Sequence, residues 1–291
     1  MVLLLALTYN SFTFKIQFLQ MKIFKNKAKL VDEILNKNNV AFVPTMGSIH
    51  KGHLSLIKKA KKESKNVLVS IYVNPRQFNS NSDFQKYPRS LKKDINLLKK
   101  TKIKYLYLPK YNDIYSFKPK SPIYLDSFSK KLCGKSRPRH FKGVVDVVNR
   151  FLEIIKPKSI FLGLKDFQQL TLVNLHIKKN KIPTKVFSCS IIRERNGIAL
   201  SSRNTKLNTS QINIAGKIYK YLKNNKKKVL YVDLKKEKIK LINKIILLGA
   251  KKVDYLECIN LKKLKKAKKI NENYKIFVSY YIGKIRLIDN L

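Results

Sequence analysis

Ala41-Phe-Val-Pro-Thr-Met-Gly-Ser-Ile-His-Lys-Gly-His53 is the stretch on which the reading of this chain turns. The apolar run from Val40 to Val43 predicts a buried strand, and Pro44, which cannot donate to a ladder, marks its expected end. After a glycine-bearing turn the apolar spacing becomes helical, at Leu54, Ile57 and Ala60, so His50 and His53 fall at or just before a first helical turn. N–H groups at a helix start point outward unpaired and the dipole favours negative charge. Two imidazoles with the flexible Gly47 and Gly52 there suit a phosphate chain. Histidine pairs at helix starts also serve as caps or packing, but this pair follows a strand and precedes a helix, where ligands bind in open parallel sheets. Gly47 and Gly52 have the spacing of a Walker A loop, yet His53 stands where that motif requires lysine. Gly134-Lys135-Ser136 fails the same test, with Ser129 in the first-glycine position.

Working outward, Leu30, Val31, Ile34 and Leu35 predict a helix before the strand at Val40. Val67 to Val73 is continuously apolar and β-branched, which predicts a central strand buried on both faces. It runs into Asn74-Pro75-Arg76-Gln77-Phe78. The polar Asn79 to Asp83 reads as a loop or flap before a helix near Leu91 to Leu98, and Tyr105 to Leu108 reads as a strand stopped by Pro109. Val144, Val148, Phe151, Leu152 and Ile155 line one side of a helix ended by Pro157. Ser159 to Leu162 is a strand, Gly163 to Asp166 a strand-to-helix turn with Asp166 as N-cap, and Lys185 to Cys189 the last strand of the unit. Strands alternating with helices imply an α/β fold, a Rossmann-like doubly wound parallel sheet with right-handed crossovers.

Beyond Ser190 the pattern changes to helices near Ile212 to Leu222 and Ile239 to Leu248, then strands at Val253 to Cys258, Tyr274 to Tyr281 and Ile285 to Ile288. The expected division is therefore residues 1–20 as an extension, disordered or upstream of a natural start at Met21, 21–189 as the Rossmann-like domain, and 190–291 as a smaller α+β lid domain. The lysine run from Lys262 to Lys269 reads as a solvated basic helix face.

Composition narrows the function classes. The 291 residues, 44% hydrophobic and 28% charged, suffice for a substantial core. The net charge of +47, from 64 Lys and Arg against 17 Asp and Glu, would attract any phosphorylated partner. The lysines are spread along the whole chain, however, and no RRM, zinc or helix-turn-helix pattern accompanies them, so no specific nucleic-acid site is expected. Cys133, Cys189 and Cys258 lie far apart with no C-x-x-C pair, which favours a reducing, cytoplasmic setting and argues against structural zinc. No apolar run reaches the ~18 residues of a membrane span.

Three strand-end turns carry polar groups that could converge, His50 and His53, then Asn74 and Gln77, then Lys165, Asp166 and Gln169, and a fourth segment just past the domain boundary, Leu200-Ser-Ser-Arg-Asn204, offers hydroxyls and a guanidinium suited to phosphate. Taken with Val43-Pro-Thr-Met-Gly47, Ile71-x-Val-Asn-Pro75, Tyr87-Pro-Arg89, Arg137-Pro-x-His-Phe141, Lys165-Asp-Phe-Gln-Gln169 and Arg286-Leu-Ile-Asp-Asn290, these segments resemble, in order and from Met21 to the C-terminus, the motifs of the pantoate–β-alanine ligase family. The His-x-Gly-His element alone marks only the wider nucleotidyltransferase-like superfamily, so another adenylyl or cytidylyl transferase is the alternative; it would lack the two glutamines at matching turns.

The resemblance implies ATP-dependent condensation of pantoate with β-alanine through a pantoyl adenylate, with Mg²⁺ on the phosphates, in a soluble homodimer. It implies that ATP lies against Met46, Gly47, Ser48, Ile49, His50, Lys51, Gly52 and His53, then Gly163, Leu164, Lys165 and Asp166. Ile192, Leu200, Ser201, Ser202 and Arg203 would complete that surface. His50, His53, Lys165 and Arg203 would be the catalytic set, with His53 as proton donor. Gln77 and Gln169 would bind pantoate and β-alanine, and Asp166 would contact ribose or hold Lys165. No protein ligand for the metal is implied. Two positions depart from the family pattern: Leu164, where Glu or Gln is usual, and Cys133, where an acid is usual and whose loss would weaken an ion pair near Arg137.

Overall fold

A computed structural model describes residues 20–226, 235–267 and 272–291. The expected extension over 1–20 therefore lies, but for its last residue, outside the described residues, as do Lys268 and Lys269 of the lysine run. In chain order the strands are β1 (Lys22–Phe24), β2 (Val40–Thr45), β3 (Asn66–Ile71), β4 (Tyr105–Tyr107), β5 (Ser159–Gly163), β6 (Lys185–Cys189), β7 (Lys252–Asn260), β8 (Tyr274–Ile282) and β9 (Ile285–Asn290). The helices are α1 (Lys27–Ile34), α2 (Lys51–Glu63), α3 (Asn81–Gln85), α4 (Leu91–Lys100) and α5 (Tyr111–Tyr115). They continue with α6 (Cys133–Ser136), α7 (His140–Ile155), α8 (Phe167–Lys179), α9 (Thr209–Asn224) and α10 (Lys235–Leu247).

The first six strands form one parallel sheet in the order β1-β4-β3-β2-β5-β6. Successive side chains of a strand point to opposite faces, and both faces here are covered. Phe42, Leu68 and Ile160 pack with Val144, Val148 and Leu172 of α7 and α8. Their neighbours Ala41, Val67, Val69 and Phe161 pack with Leu56, Ile57 and Ala60 of α2 and Leu98 of α4. This is the doubly wound arrangement expected from the near-continuous apolar strands. Helix α7 is apolar well beyond one stripe, with Val145, Val147 and Ile154 buried alongside the expected Val144, Val148, Phe151, Leu152 and Ile155, as befits a helix enclosed by protein.

From β2 the chain winds outward through β3 and β4 on one side and through β5 and β6 on the other, so the strand order reverses between β2 and β5. Ligands of open α/β sheets bind beyond the carboxyl ends of the strands at such a switch point. Pro44 turns out to lie inside β2, paired with Ser70, and the strand ends one residue later at Thr45. The ladder to β5 covers only Ala41 and Phe42, so those strands have already parted where a donor from residue 44 would be needed. β3 likewise ends at Ile71, short of the expected Val73.

The C-terminal part has its own antiparallel sheet, β7-β8-β9, packed with α9 and α10 around Ile218, Leu241, Ile245, Leu256 and Val278. Phe277 and Ile259 join the large N-terminal core instead, bonding the two parts. Three local expectations are corrected. Asn79 to Asp83 is not all loop, because the Ser80 hydroxyl caps α3 by accepting from the Asp83 N–H. The described part of the lysine run is a turn rather than a helix face, since the Asn260 carboxamide oxygen accepts from the N–H groups of Lys262 and Lys263. Asp166 precedes α8 without a side-chain cap; its carboxylate faces Lys165 Nζ at 3.3 Å.

Candidate active site

Beyond the parted ends of β2 and β5 a cleft opens, roofed by the C-terminal part, and all four polar segments meet in it. Its walls include His50 and His53, Gln77, Lys165 with Asp166 and Gln169, and Ser201, Ser202 and Arg203. Met46, Gly52, Gly163, Ile192 and Leu200 line it as well. Gly47, Ser48, Ile49, Lys51 and Leu164 do not. Leu164 packs against the main core and offers only its carbonyl, to the Asn290 amide at 2.9 Å.

The turn after β2 is built on a residue that the sequence analysis did not single out. Asp94 of α4 is buried, and its carboxylate accepts from the N–H groups of Ser48 and Ile49, both at 2.8 Å. This tether holds the left-handed pair Gly47 (φ 80°) and Ser48 (φ 52°), which needs glycine at its first position because a Cβ there would lie 3.0 Å from Asp94 Oδ2. Ile49 is thereby drawn into the core under α2. The amides of residues 48 and 49 are thus committed to Asp94 and not available to an anion.

Two of the helix-start amides, those of His50 and Gly52, are committed too, contrary to expectation, and to the histidines themselves. His50 is the N-cap of α2: its Nδ1 accepts from the Gly52 N–H at 3.1 Å, while His53 Nδ1 accepts from the His50 N–H at 3.4 Å. This is the reciprocal capping box with imidazoles in both roles. Burial, reinforced by Lys165, holds the His50 pKa down at about 4, and burial with His50 beside it holds His53 at about 3. Both rings are therefore neutral near pH 7. A neutral imidazole whose Nδ1 accepts carries its proton on Nε2. The box accordingly fixes one tautomer and leaves two Nε2–H donors, on rings 4.1 Å apart, for a ligand.

Facing them, Lys165 pairs with Asp166. Burial opposes ionisation of that carboxyl, but Lys165 and Arg203 prevail and keep its pKa below the usual value. Arg203 lies 3.7 Å from Asp83 of α3, and the Ser202 hydroxyl lies 3.3 Å from Tyr87 Oη. The segment first read as a flap therefore spans the mouth between the two parts of the chain.

On the other wall, Gln77 sits in a short 3₁₀ turn, Pro75–Gln77, capped by Asn74. Its carboxamide lies 2.7 Å from Met46 Sδ and accepts from Asn74 Nδ2 at 3.4 Å. His140 Nδ1 donates to the Gln77 carbonyl at 2.7 Å, and its Nε2 accepts from Arg137 at 3.0 Å. Burial, with Arg137 adjacent, depresses the His140 pKa to about 3, consistent with that neutral tautomer. Cys133 lies near enough to Arg137 to act on it electrostatically, as anticipated, but makes its polar contacts elsewhere. Its thiol meets Tyr255 Oη at 3.0 Å and Arg286 at 3.7 Å, across the contact between the two parts. Arg286 is held in turn by Asp254 at 2.8 Å.

Such an arrangement can bind a polyanion by neutral N–H donors and cations on one side, and a small hydroxylated acid by carboxamides on the other. The family model for pantoate-beta-alanine ligase matches residues 20–291. The pantothenate synthetase of Thermosipho melanesiensis is 38% identical over 272 residues, covering 92% of this chain and 96% of that protein. The pantothenate synthetase of Francisella tularensis subsp. novicida is 40% identical over 265 residues, covering 89% and 91%. Among solved structures, pantoate-beta-alanine ligase from Francisella tularensis, complexed with beta-gamma ATP and beta-alanine, superposes with a TM-score of 0.78 at 39% identity, covering 93% of this chain and 97% of that one. The Thermus thermophilus enzyme superposes with a TM-score of 0.82 at 29% identity, covering 93% and 99%.

Proposed function

Because the chain belongs to the pantoate–β-alanine ligase family, we propose that its cleft joins pantoate to β-alanine at the expense of ATP in two half-reactions. In the first, the pantoate carboxylate attacks the α-phosphate in line, the bond to the β-phosphate oxygen breaks, and pyrophosphate leaves with the electron pair. In the second, the β-alanine amine attacks the acyl carbon of the pantoyl adenylate. The carbon–nitrogen bond forms, the carbon–oxygen bond to phosphate breaks, AMP leaves with that pair, and the amine proton passes to solvent.

The observation that supports this most is the meeting of His50, His53, Lys165 and Arg203 with Gln77 and Gln169 in one cleft at the switch point. Charge shifts onto the leaving pyrophosphate in the first step, so fixed donors aimed at its oxygens lower the barrier without reorganising. The Nε2–H groups of His50 and His53 would act as such hydrogen-bond donors; with pKa values of about 4 and 3 they do so from the neutral form. Lys165, Ser201, Ser202 and Arg203 would complete the phosphate grip. Met46, Gly163, Ile192 and Leu200 would flank the nucleotide. Gln77 and Gln169 would orient pantoate as neutral donors that cannot compete as nucleophiles, which makes proximity a large share of the catalysis.

Among the described residues no group of three or more His, Cys, Asp or Glu side chains is suited to a metal ion. Mg²⁺ characteristically binds through phosphates and one or two carboxylates. It would therefore arrive on the triphosphate, with Asp166 as a cleft carboxylate able to meet it, since the other lining carboxylate, Asp289, is paired with Arg193, and when bound would neutralise charge on the departing pyrophosphate. We further take 21–189 and 190–291 as the two domains, the second a lid, with the enzyme acting as a cytoplasmic homodimer; the three unbonded cysteines fit a reducing setting. A coupled assay tests the function: AMP should appear only when ATP, pantoate and β-alanine are all present. AMP formation independent of pantoate, together with tight binding of random DNA at moderate salt, would reverse the reading.

A further inference from the structure

Among the described residues, four cationic side chains line the cleft: Arg137, Lys165, Arg203 and Arg286. Three have an acid beside them, Lys165 with Asp166 at 3.3 Å, Arg203 with Asp83 at 3.7 Å and Arg286 with Asp254 at 2.8 Å. Arg137 has no ion-pair partner among the described residues. Its polar contacts are a neutral imidazole, His140 Nε2 at 3.0 Å, and the Gln77 carbonyl at 3.5 Å. Burial, with Arg203 and Arg286 nearby, outweighs the opposing pull of Cys133 and Asp83 and brings its pKa down to about 10, as for a cation only weakly compensated. A guanidinium in that position is costly unless an anion arrives to meet it.

The placement selects the anion. Arg137 and Gln77 are bridged by His140, whose ring donates to the Gln77 carbonyl and accepts from Arg137, so both stand on the carboxamide wall of the cleft. The pantoate carboxylate is spent in forming the acyl phosphate and gives a cation nothing to hold in the second half-reaction. The β-alanine carboxylate survives both steps unchanged, two methylenes from the attacking amine. Among the described residues, Arg137 is the cleft cation without an ion-pair partner and so free to bind it, and the planar guanidinium fork matches a carboxylate. Building on the function proposed above, we infer that Arg137 is the receptor for the β-alanine carboxylate, with His140 as the positioning residue that sets Arg137 relative to the pantoyl-binding turn.

The test separates the two half-reactions. In wild-type enzyme, pantoate-dependent exchange of pyrophosphate into ATP without β-alanine reports the first, and AMP release with β-alanine reports the second. Failure of the wild-type exchange would refute the proposed function itself. With exchange present, Arg137→Gln should raise the KM for β-alanine about 10- to 100-fold, the range of one charge-assisted hydrogen bond, while exchange and the pantoate KM persist. Wild-type enzyme should prefer β-alanine to its neutral amide, 3-aminopropanamide, by a similar factor, and Arg137→Gln should erase that preference. Arg137→Lys, which keeps the charge and loses the fork, should retain part of it. Loss of exchange in parallel with ligation would assign Arg137 to phosphate or pantoate and overturn the inference. An unchanged preference for β-alanine over the amide in Arg137→Gln would overturn it too. The wild-type comparison of the two amines needs no variant, and equal use of both would be equally decisive.

Discussion

Replacing Gly143 with alanine tests whether pantoate recognition depends on how closely α7 approaches the Gln77 turn. A Cβ at Gly143 would lie 2.2 Å from the Arg76 carbonyl oxygen and 2.8 Å from the Gln77 Cα. Ordinary contact begins at 3.4 Å, so the turn would have to retreat by roughly 1 Å, a scale at which reacting geometry can lose about 100-fold. It cannot retreat freely, because Asn74 Nδ2 donates to the Gly143 carbonyl at 3.0 Å and His140 Nδ1 donates to the Gln77 carbonyl at 2.7 Å. Overpacking of this kind costs about 1–3 kcal/mol, offset by about 1 kcal/mol from the better helix propensity of alanine. A net loss of up to about 2 kcal/mol would lower the Tm by up to about 8 °C in a chain of this size. Pantoate-dependent exchange should fall by about one to two orders of magnitude in kcat/KM, while ATP affinity, measured by titration, stays near the wild-type value. A variant with unchanged Tm and unchanged pantoate kcat/KM would show that the turn yields without consequence and would refute the reasoning.

His53→Ala should reduce pyrophosphate exchange by about 100-fold or more, the usual scale for one preorganised donor, with a stability loss of only about 1 kcal/mol for half of a capping box; normal exchange would exclude His53 from the chemistry. Gly163→Ala supplies the steric contrast to Gly143, since a Cβ there meets nothing within 4 Å. It should fold as wild type and weaken ATP alone, and unaltered ATP affinity would remove Gly163 from the nucleotide surface. Acid should destabilise the protein before any carboxylate titrates. His53 and His140 are held at about 3 against about 6.5 unfolded, so below pH 6.5 the unfolded chain binds more protons and stability falls with pH. Each contributes up to about 2 kcal/mol of loss between pH 6.5 and 5. Urea midpoints that match at pH 7.5 and 5 would contradict that burial.

How far the site could be read in advance depends on whether each feature is local in the chain. The β2–turn–α2 element and the alternation that follows are written in periodicity, which is why the parallel sheet and the positions of His50, His53, Gln77 and Lys165 were legible. β1 carried no such signal, being three residues at a sheet edge with only Phe24 packed inward. Asp94 was invisible for a different reason. Nothing within α4 reveals that its carboxylate reaches back 46 residues to the Ser48 amide, and that one pairing changes how the anion site works. Sequence reasoning counted unpaired helix-start amides among the features that suit a phosphate chain there, whereas the fold spends the amides of Ser48 and Ile49 on Asp94 and those of His50 and Gly52 on the two imidazole Nδ1 atoms. The imidazole Nε2–H groups then join the donors facing the cleft, and Arg137 follows the same logic from the opposite sign. Its motif was visible, but the role inferred for it rests on its having no ion-pair partner among the described residues, which only the assembled cleft defines. Residues at this site act through what their neighbours leave unsatisfied, and a one-dimensional pattern records which groups are present but not which remain free.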